Sequence, residues 1–180
     1  MSASGVNVPG PAVREPGWAR VLRRTLDGVA LAALWLAGLV LVAILILMNV
    51  EIVVRYLFGT STLIADEYAG YGFAVLILSG FVYAHRRRAL LRVDFAASRL
   101  RGRFGRVVLA LAALLSMVVA IFSAYAGYQT LSLSILFQST SSYTSQTPLW
   151  IPQAVLPVGF GLLALSFGEE ALRQFLGLDT

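Results

Sequence analysis

Long charge-free runs alternate with short polar stretches along this chain. No charged residue lies in Gly28 to Val50, in Tyr68 to Ala84 or anywhere in Val107 to Gly168, and the last run is divided by a Ser/Thr/Gln-rich stretch from Gln129 to Thr147. An apolar helix of about 20 residues crosses the roughly 30 Å hydrocarbon core of a bilayer. Inside that core every backbone polar group must find its partner within the protein, which a helix provides and an open strand does not. The pattern predicts an all-α integral membrane protein with four transmembrane helices, at about 28–50, 68–84, 107–128 and 148–168, in one membrane domain spanning 18–176. The second run is near the lower length limit, so it reaches full depth only with Glu67 and His85 at the interfaces or with neighbours shielding it. A secretory signal has an apolar core of about 7–15 residues followed by a small-residue cleavage site. The first run is longer and continues into Asn49-Val50-Glu51, as an uncleaved anchor does.

The polar stretches set the helix ends. Residues 1–17 are small, Gly- and Pro-rich, and read as a disordered tail, followed by an interfacial collar of Trp18, Arg20, Arg23 and Arg24. Glu51 and Arg55 are four apart and can pair on one helix face. Gly59, Thr60 and Ser61 break the helix, and Asp66 and Glu67 open the next, where carboxylates favour the positive helix end. Ser116, Ala120 and Ala124 recur every four residues in the third helix, a spacing that allows close approach in lipid. Thr147-Pro148 reads as an N-cap followed by Pro at the first helical position, with Trp150 at the interface. Pro157 should kink the fourth helix, because it removes a hydrogen bond and crowds the carbonyl of Gln153. Glu169, Glu170 and Arg173 end that helix, the two glutamates in solvent.

Charge adds orientation. His85 to Arg106 carries eight of the fourteen arginines. Such loops stay on the cytoplasmic side and bind anionic headgroups. With 85–106 inside, Arg55 is the only arginine outside, against thirteen inside, and both termini are cytoplasmic. Within the loop, Asp94 is placed to cap a short amphipathic helix lying on the inner surface; a plain solvated loop is the other reading.

Composition narrows the chemistry. Charged residues make up 13% of the chain and mean hydropathy is +0.80, whereas a soluble domain carries about 25% charged residues. The net charge of +5 does not indicate nucleic acid, because the arginines sit at the ends of apolar runs. The absence of Cys excludes disulfides and Cys-ligated metals, and a single His cannot supply two axial haem ligands. No cofactor, metal site, catalytic residue or substrate-binding residue is expected. Ionisable groups at the midplane mark ion paths and proton relays. Here charge is confined to helix ends, the pattern of a small helical scaffold.

The order Arg55-Tyr56, Asp66-Glu67, Ser79-Gly80, then a basic turn ending in Leu91-Arg92-Val93-Asp94, resembles the small membrane subunit of tripartite ATP-independent periplasmic (TRAP) transporters. The run Thr147 to Pro152 is similar to that family's start of its fourth helix. The resemblance implies a multi-pass subunit of a bacterial inner membrane, and no enzyme. Its implied partners are a large multi-span permease subunit, which carries an organic acid with sodium, and a periplasmic substrate-binding protein. The candidate subunit-interface or structural residues are then Arg55, Tyr56, Asp66, Glu67, Gly80, Asp94 and Trp150, with Arg55 paired to Asp66 or Glu67. A small four-span subunit of a tripartite tricarboxylate transporter and a membrane anchor of a redox complex are the alternatives.

Overall fold

A computed structural model describes residues 17–87 and 103–176. The N-terminal tail to residue 16, Asp94 and most of the proposed amphipathic segment lie outside the described residues. Helix α1 spans Gly17–Phe58, α2 Ile64–Arg86, α3 Arg103–Leu136, the short α4 Trp150–Gln153, and α5 Val155–Leu176. Four helical segments are long and apolar enough to cross a membrane: α1, α2, α3 from Val107, and Trp150–Phe175. The molecule is an all-α four-span membrane protein.

The helices outrun the apolar segments that nucleate them. At 1.5 Å per residue α1 is about 63 Å long, so it carries turns beyond both edges of the hydrocarbon. It stops at Gly59, whose φ of 64° is the left-handed cap that glycine supplies at least cost, and whose N–H donates to the Arg55 carbonyl at 3.1 Å.

Helix α1 packs against α2, α3 packs against α5, and α2 joins the two pairs by packing on α5. The core where they meet contains Ala30, Val82, Ala120, Leu163 and Ala164. In lipid no hydrophobic force drives helices together, so close van der Waals contact must do so. A glycine stands at each of the three contacts. A Cβ on Gly72 would lie 2.9 Å from Ile44 of α1, one on Gly159 2.9 Å from Leu78 of α2, and one on Gly127 2.9 Å from Leu156 of α5. Large side chains face outward instead, among them Trp35, Leu39 and Phe122, where acyl chains take the place of water.

The small-residue stripe of α3 differs from the expected spacing of four. Its inward positions are Ala110, Ala113, Met117, Ala120, Ala124, Gly127, Leu131 and Ser134, alternating steps of three and four. That is the seam of a coiled coil. Ala120 and Ala124 belong to it; Ser116 flanks it, half-buried.

The start of the fourth span also differs. Pro148 does not open the helix: it pairs with Thr140 in an isolated antiparallel bridge, and helix begins at Trp150 after Leu149. The Thr147 side chain is taken up by Tyr68 and Ser145 rather than by a cap. The fourth span is broken at Ala154, which separates α4 from α5 and lies three residues before Pro157, where the kink is expected. Pro157 itself sits in the first turn of α5, where a missing N–H costs little. Between α1 and α5, with α2 as floor, runs an apolar crevice of about 440 Å³, bordered by Ala32, Ala33, Leu78, Ser79 and Gly159 among others.

Candidate functional site

Ionisable side chains gather at the two ends of the bundle. At one end Glu51 is buried, with 6% of its surface exposed. Its Oε1 accepts from Ser61 Oγ at 2.6 Å, from the Thr62 N–H at 3.2 Å and from Arg55 Nη2 at 3.3 Å. Its Oε2 accepts from Thr62 Oγ1 at 2.5 Å. The i,i+4 pairing of Glu51 with Arg55 expected from spacing is therefore formed. The loop closes around this carboxylate. It holds Leu63 at φ 56°, a left-handed conformation that strains a residue with a Cβ, while the Leu63 N–H donates to Ser61 Oγ at 3.3 Å. The first turn of α2 follows directly.

Glu67 is the second buried carboxylate at this end, 5% exposed. Tyr71 Oη donates to one of its oxygens at 2.7 Å and Ser145 Oγ to the other at 2.5 Å. Ser145 has one hydroxyl proton, already given to Glu67, so it accepts from Thr147 Oγ1 at 2.8 Å. Thr147 Oγ1 then accepts from Tyr68 Oη at 3.0 Å. A directed hydroxyl chain thus fastens the 137–149 loop onto α2.

The expected pairing of Arg55 with Asp66 or Glu67 is not made. The guanidinium turns back along its own helix to Glu51 and also donates to Ser61 Oγ at 3.1 Å, and Glu67 is saturated by hydroxyls. Asp66, the neighbour of buried Glu67 in the first turn of α2, is exposed. Tyr56 is 88% exposed and Trp150 46% exposed. Gly80 is half-buried, and a Cβ there would meet nothing within 4 Å, so it makes no close helix contact in this chain.

The other end is built on Arg86, whose side chain is only 8% exposed. Its Nε and Nη2 donate to Asp27 Oδ1 of α1 at 2.9 and 2.6 Å, and Nη2 also reaches the Arg23 carbonyl at 3.2 Å. Its Nη1 pairs with Glu169 of α5. Arg173 Nη1 lies 3.6 Å from the other Glu169 oxygen. Beside this cluster the His85 ring stacks obliquely on Phe167, centroids 4.2 Å apart, with Nε2 3.5 Å from Glu170. Glu169, expected in solvent, is buried at 8% exposure because it receives the guanidinium. Asp27 and Glu169 are the residues the sequence reading missed. The available signal was an acid directly flanking an apolar run on each of two helices, Asp27 before Gly28 and Glu169 after Gly168, with Arg86 close behind the run that ends at Ala84.

Among the described residues no Asp, Glu, Arg or His side chain sits between these two ends, and no group of three or more His, Cys, Asp or Glu side chains could hold a metal ion. The arrangement can fasten helices and present surfaces.

Comparison with known proteins agrees with that architecture. Residues 44–177 match the DctQ component of the tripartite ATP-independent periplasmic transporters. A relative from Haemophilus influenzae, named as a TRAP transporter small permease protein, is 24% identical over 131 residues, covering 73% of this chain and 79% of its own length. With the family match extending over about three quarters of a four-span chain whose charges lie only at the span ends, this protein belongs to the DctQ family of TRAP transporter small membrane subunits.

Proposed function

We propose that this subunit braces the large permease of a TRAP transporter and helps dock the periplasmic binding protein during sodium-coupled uptake of an organic acid. The observation that carries the reading is the confinement of the Asp, Glu, Arg and His side chains, among the described residues, to the two ends of the bundle, where each cluster ties chain segments together. Transport of a carboxylate with sodium needs polar groups at the midplane, usually on broken helices. Those belong to the large subunit in this reading. The apolar crevice between α1 and α5 is a face that a partner span would cover. The Arg86 end faces the cytoplasm, since the arginine-rich segment follows it directly, and the Glu51 and Glu67 end faces the periplasm. Exposed Tyr56, Phe58 and Phe137 then stand on the side from which the binding protein approaches.

The test is co-purification. With this chain tagged and its native membrane solubilised mildly, a large multi-span permease should be recovered in stoichiometric amount. Recovery of the chain alone, or with a haem- or flavin-bearing subunit, would overturn the proposal.

A further inference from the structure

An open groove of about 490 Å³ lies at the Glu51 end, between α1 and the start of α2. Met48, Glu51, Ile52, Arg55, Tyr56 and Asp66 line it. Its position fixes its surroundings. Met48 is inside the charge-free run that ends at Val50, so one end of the groove opens to hydrocarbon. Arg55 and Tyr56 lie one to two turns further along α1, at headgroup depth.

The charges in the groove are unequally committed. Glu51 is fully occupied by Ser61, Thr62 and Arg55. Arg55 gives only Nη2 to those partners and keeps 58% of its side chain exposed, so it has further N–H donors to offer. Asp66 is exposed and receives no hydrogen bond or ion pair from any described residue. A cation and an anion, each with capacity to spare, thus flank an opening whose lower wall is apolar.

We infer that this groove binds a phospholipid with a zwitterionic, primary-amine headgroup, its phosphate on Arg55 and its ammonium on Asp66. Guanidinium–phosphate and ammonium–carboxylate contacts are both charge-assisted and strong at a partly desolvated rim. Tyr56 adds a hydroxyl donor beside the phosphate, and Met48 and Ile52 receive the first methylenes of an acyl chain. A glycerol headgroup would offer Asp66 only neutral hydroxyls, with no positive charge to meet the carboxylate. A choline headgroup has no N–H to donate. The inference rests on the depth of the groove in the membrane and does not depend on the transporter assignment.

Native mass spectrometry of the full-length, detergent-purified chain tests it, with an equimolar mixture of phosphatidylethanolamine, phosphatidylcholine and phosphatidylglycerol of identical acyl chains. The wild-type chain should retain phosphatidylethanolamine about tenfold over either competitor, the factor set by one charge-assisted hydrogen bond. Asp66→Asn should abolish that preference while leaving total lipid retention nearly intact. Arg55→Gln should weaken retention of all three lipids. Because Asp66 holds no other group in place, Asp66→Asn should fold as the wild type does, which circular dichroism checks. Equal retention of the three lipids by the wild type, or an unchanged preference in Asp66→Asn, would overturn the inference. So would a complex from native membranes in which Asp66 crosslinks to another subunit and no phosphatidylethanolamine is retained.

Discussion

The two ends of the bundle bury carboxylates by different chemistry. At the Glu51 end Glu51 and Glu67 are met mainly by hydroxyls, from Ser61 and Thr62 in one case and from Tyr71 and Ser145 in the other. At the Arg86 end Asp27 and Glu169 share one guanidinium, that of Arg86. Apart from Tyr71 of α2, these hydroxyls come from loops, so the first arrangement fixes local chain paths: where α1 turns into α2, and where the 137–149 loop docks. A guanidinium can serve several acceptors at once along its fork. Arg86 uses that fork to join α1, α2 and α5. One end shapes the surface and the other holds the bundle.

Removing one member separates the two. Arg86→Met should be the most damaging single change, costing about 3 kcal/mol, because Glu169 would remain buried with only the more distant Arg173 to face it. Thermal unfolding in mild detergent would show it, and Arg86→Lys should rescue only in part, since an ammonium cannot reproduce the fork. A packing change between the ends gives a reference that involves no charge. Gly127→Ala forces a methyl to within 2.9 Å of Leu156 and 3.1 Å of the Pro157 backbone, which should cost about 1–3 kcal/mol by overpacking.

At the Glu51 end Thr62→Val removes one hydroxyl from Glu51 but leaves the Thr62 N–H, Ser61 and Arg55 in place. It should lower the melting temperature less than either change above. Proteolysis between Phe58 and Leu63 should nonetheless quicken, because the damage is local. A larger loss of global stability than for Arg86→Met would reverse the comparison. Gly80→Ala completes the series. With nothing within 4 Å of the new methyl, it should be neutral or gain about 0.5–1 kcal/mol from helix propensity.

Much of this architecture is legible in the sequence. Charge-free runs of membrane length specify four helices because lipid leaves the backbone no other solution. The break after α1 is written in Gly59, and the Glu51–Arg55 pair in its spacing of four. What is not legible is which helices meet. The partners of Arg86 lie 59 and 83 positions away in the chain, so Asp27 and Glu169 read as ordinary end charges until α1 and α5 are seen on either side of α2. The same limit explains Arg55. Asp66 and Glu67 are near in sequence, but the turn at Leu63 directs Ser61 and Thr62 to Glu51, and Arg55 follows that carboxylate. Thr147-Pro148 looked like a helix start because the local pattern fits one; the bridge to Thr140 and the hydroxyl chain to Glu67 are tertiary and override it.

The central claim is that the charges at the Arg86 end are structural ties and not part of a path for ions or substrate. The most direct measurement is a double-mutant cycle on Arg86 and Glu169, read by unfolding in detergent. Replacing both by Met should restore most of the stability lost in Arg86→Met, because an apolar pair of similar volume takes the place of a buried ion pair. The double variant should still co-purify with the large permease. A double variant less stable than Arg86→Met alone, or one that folds but no longer assembles, would contradict the account.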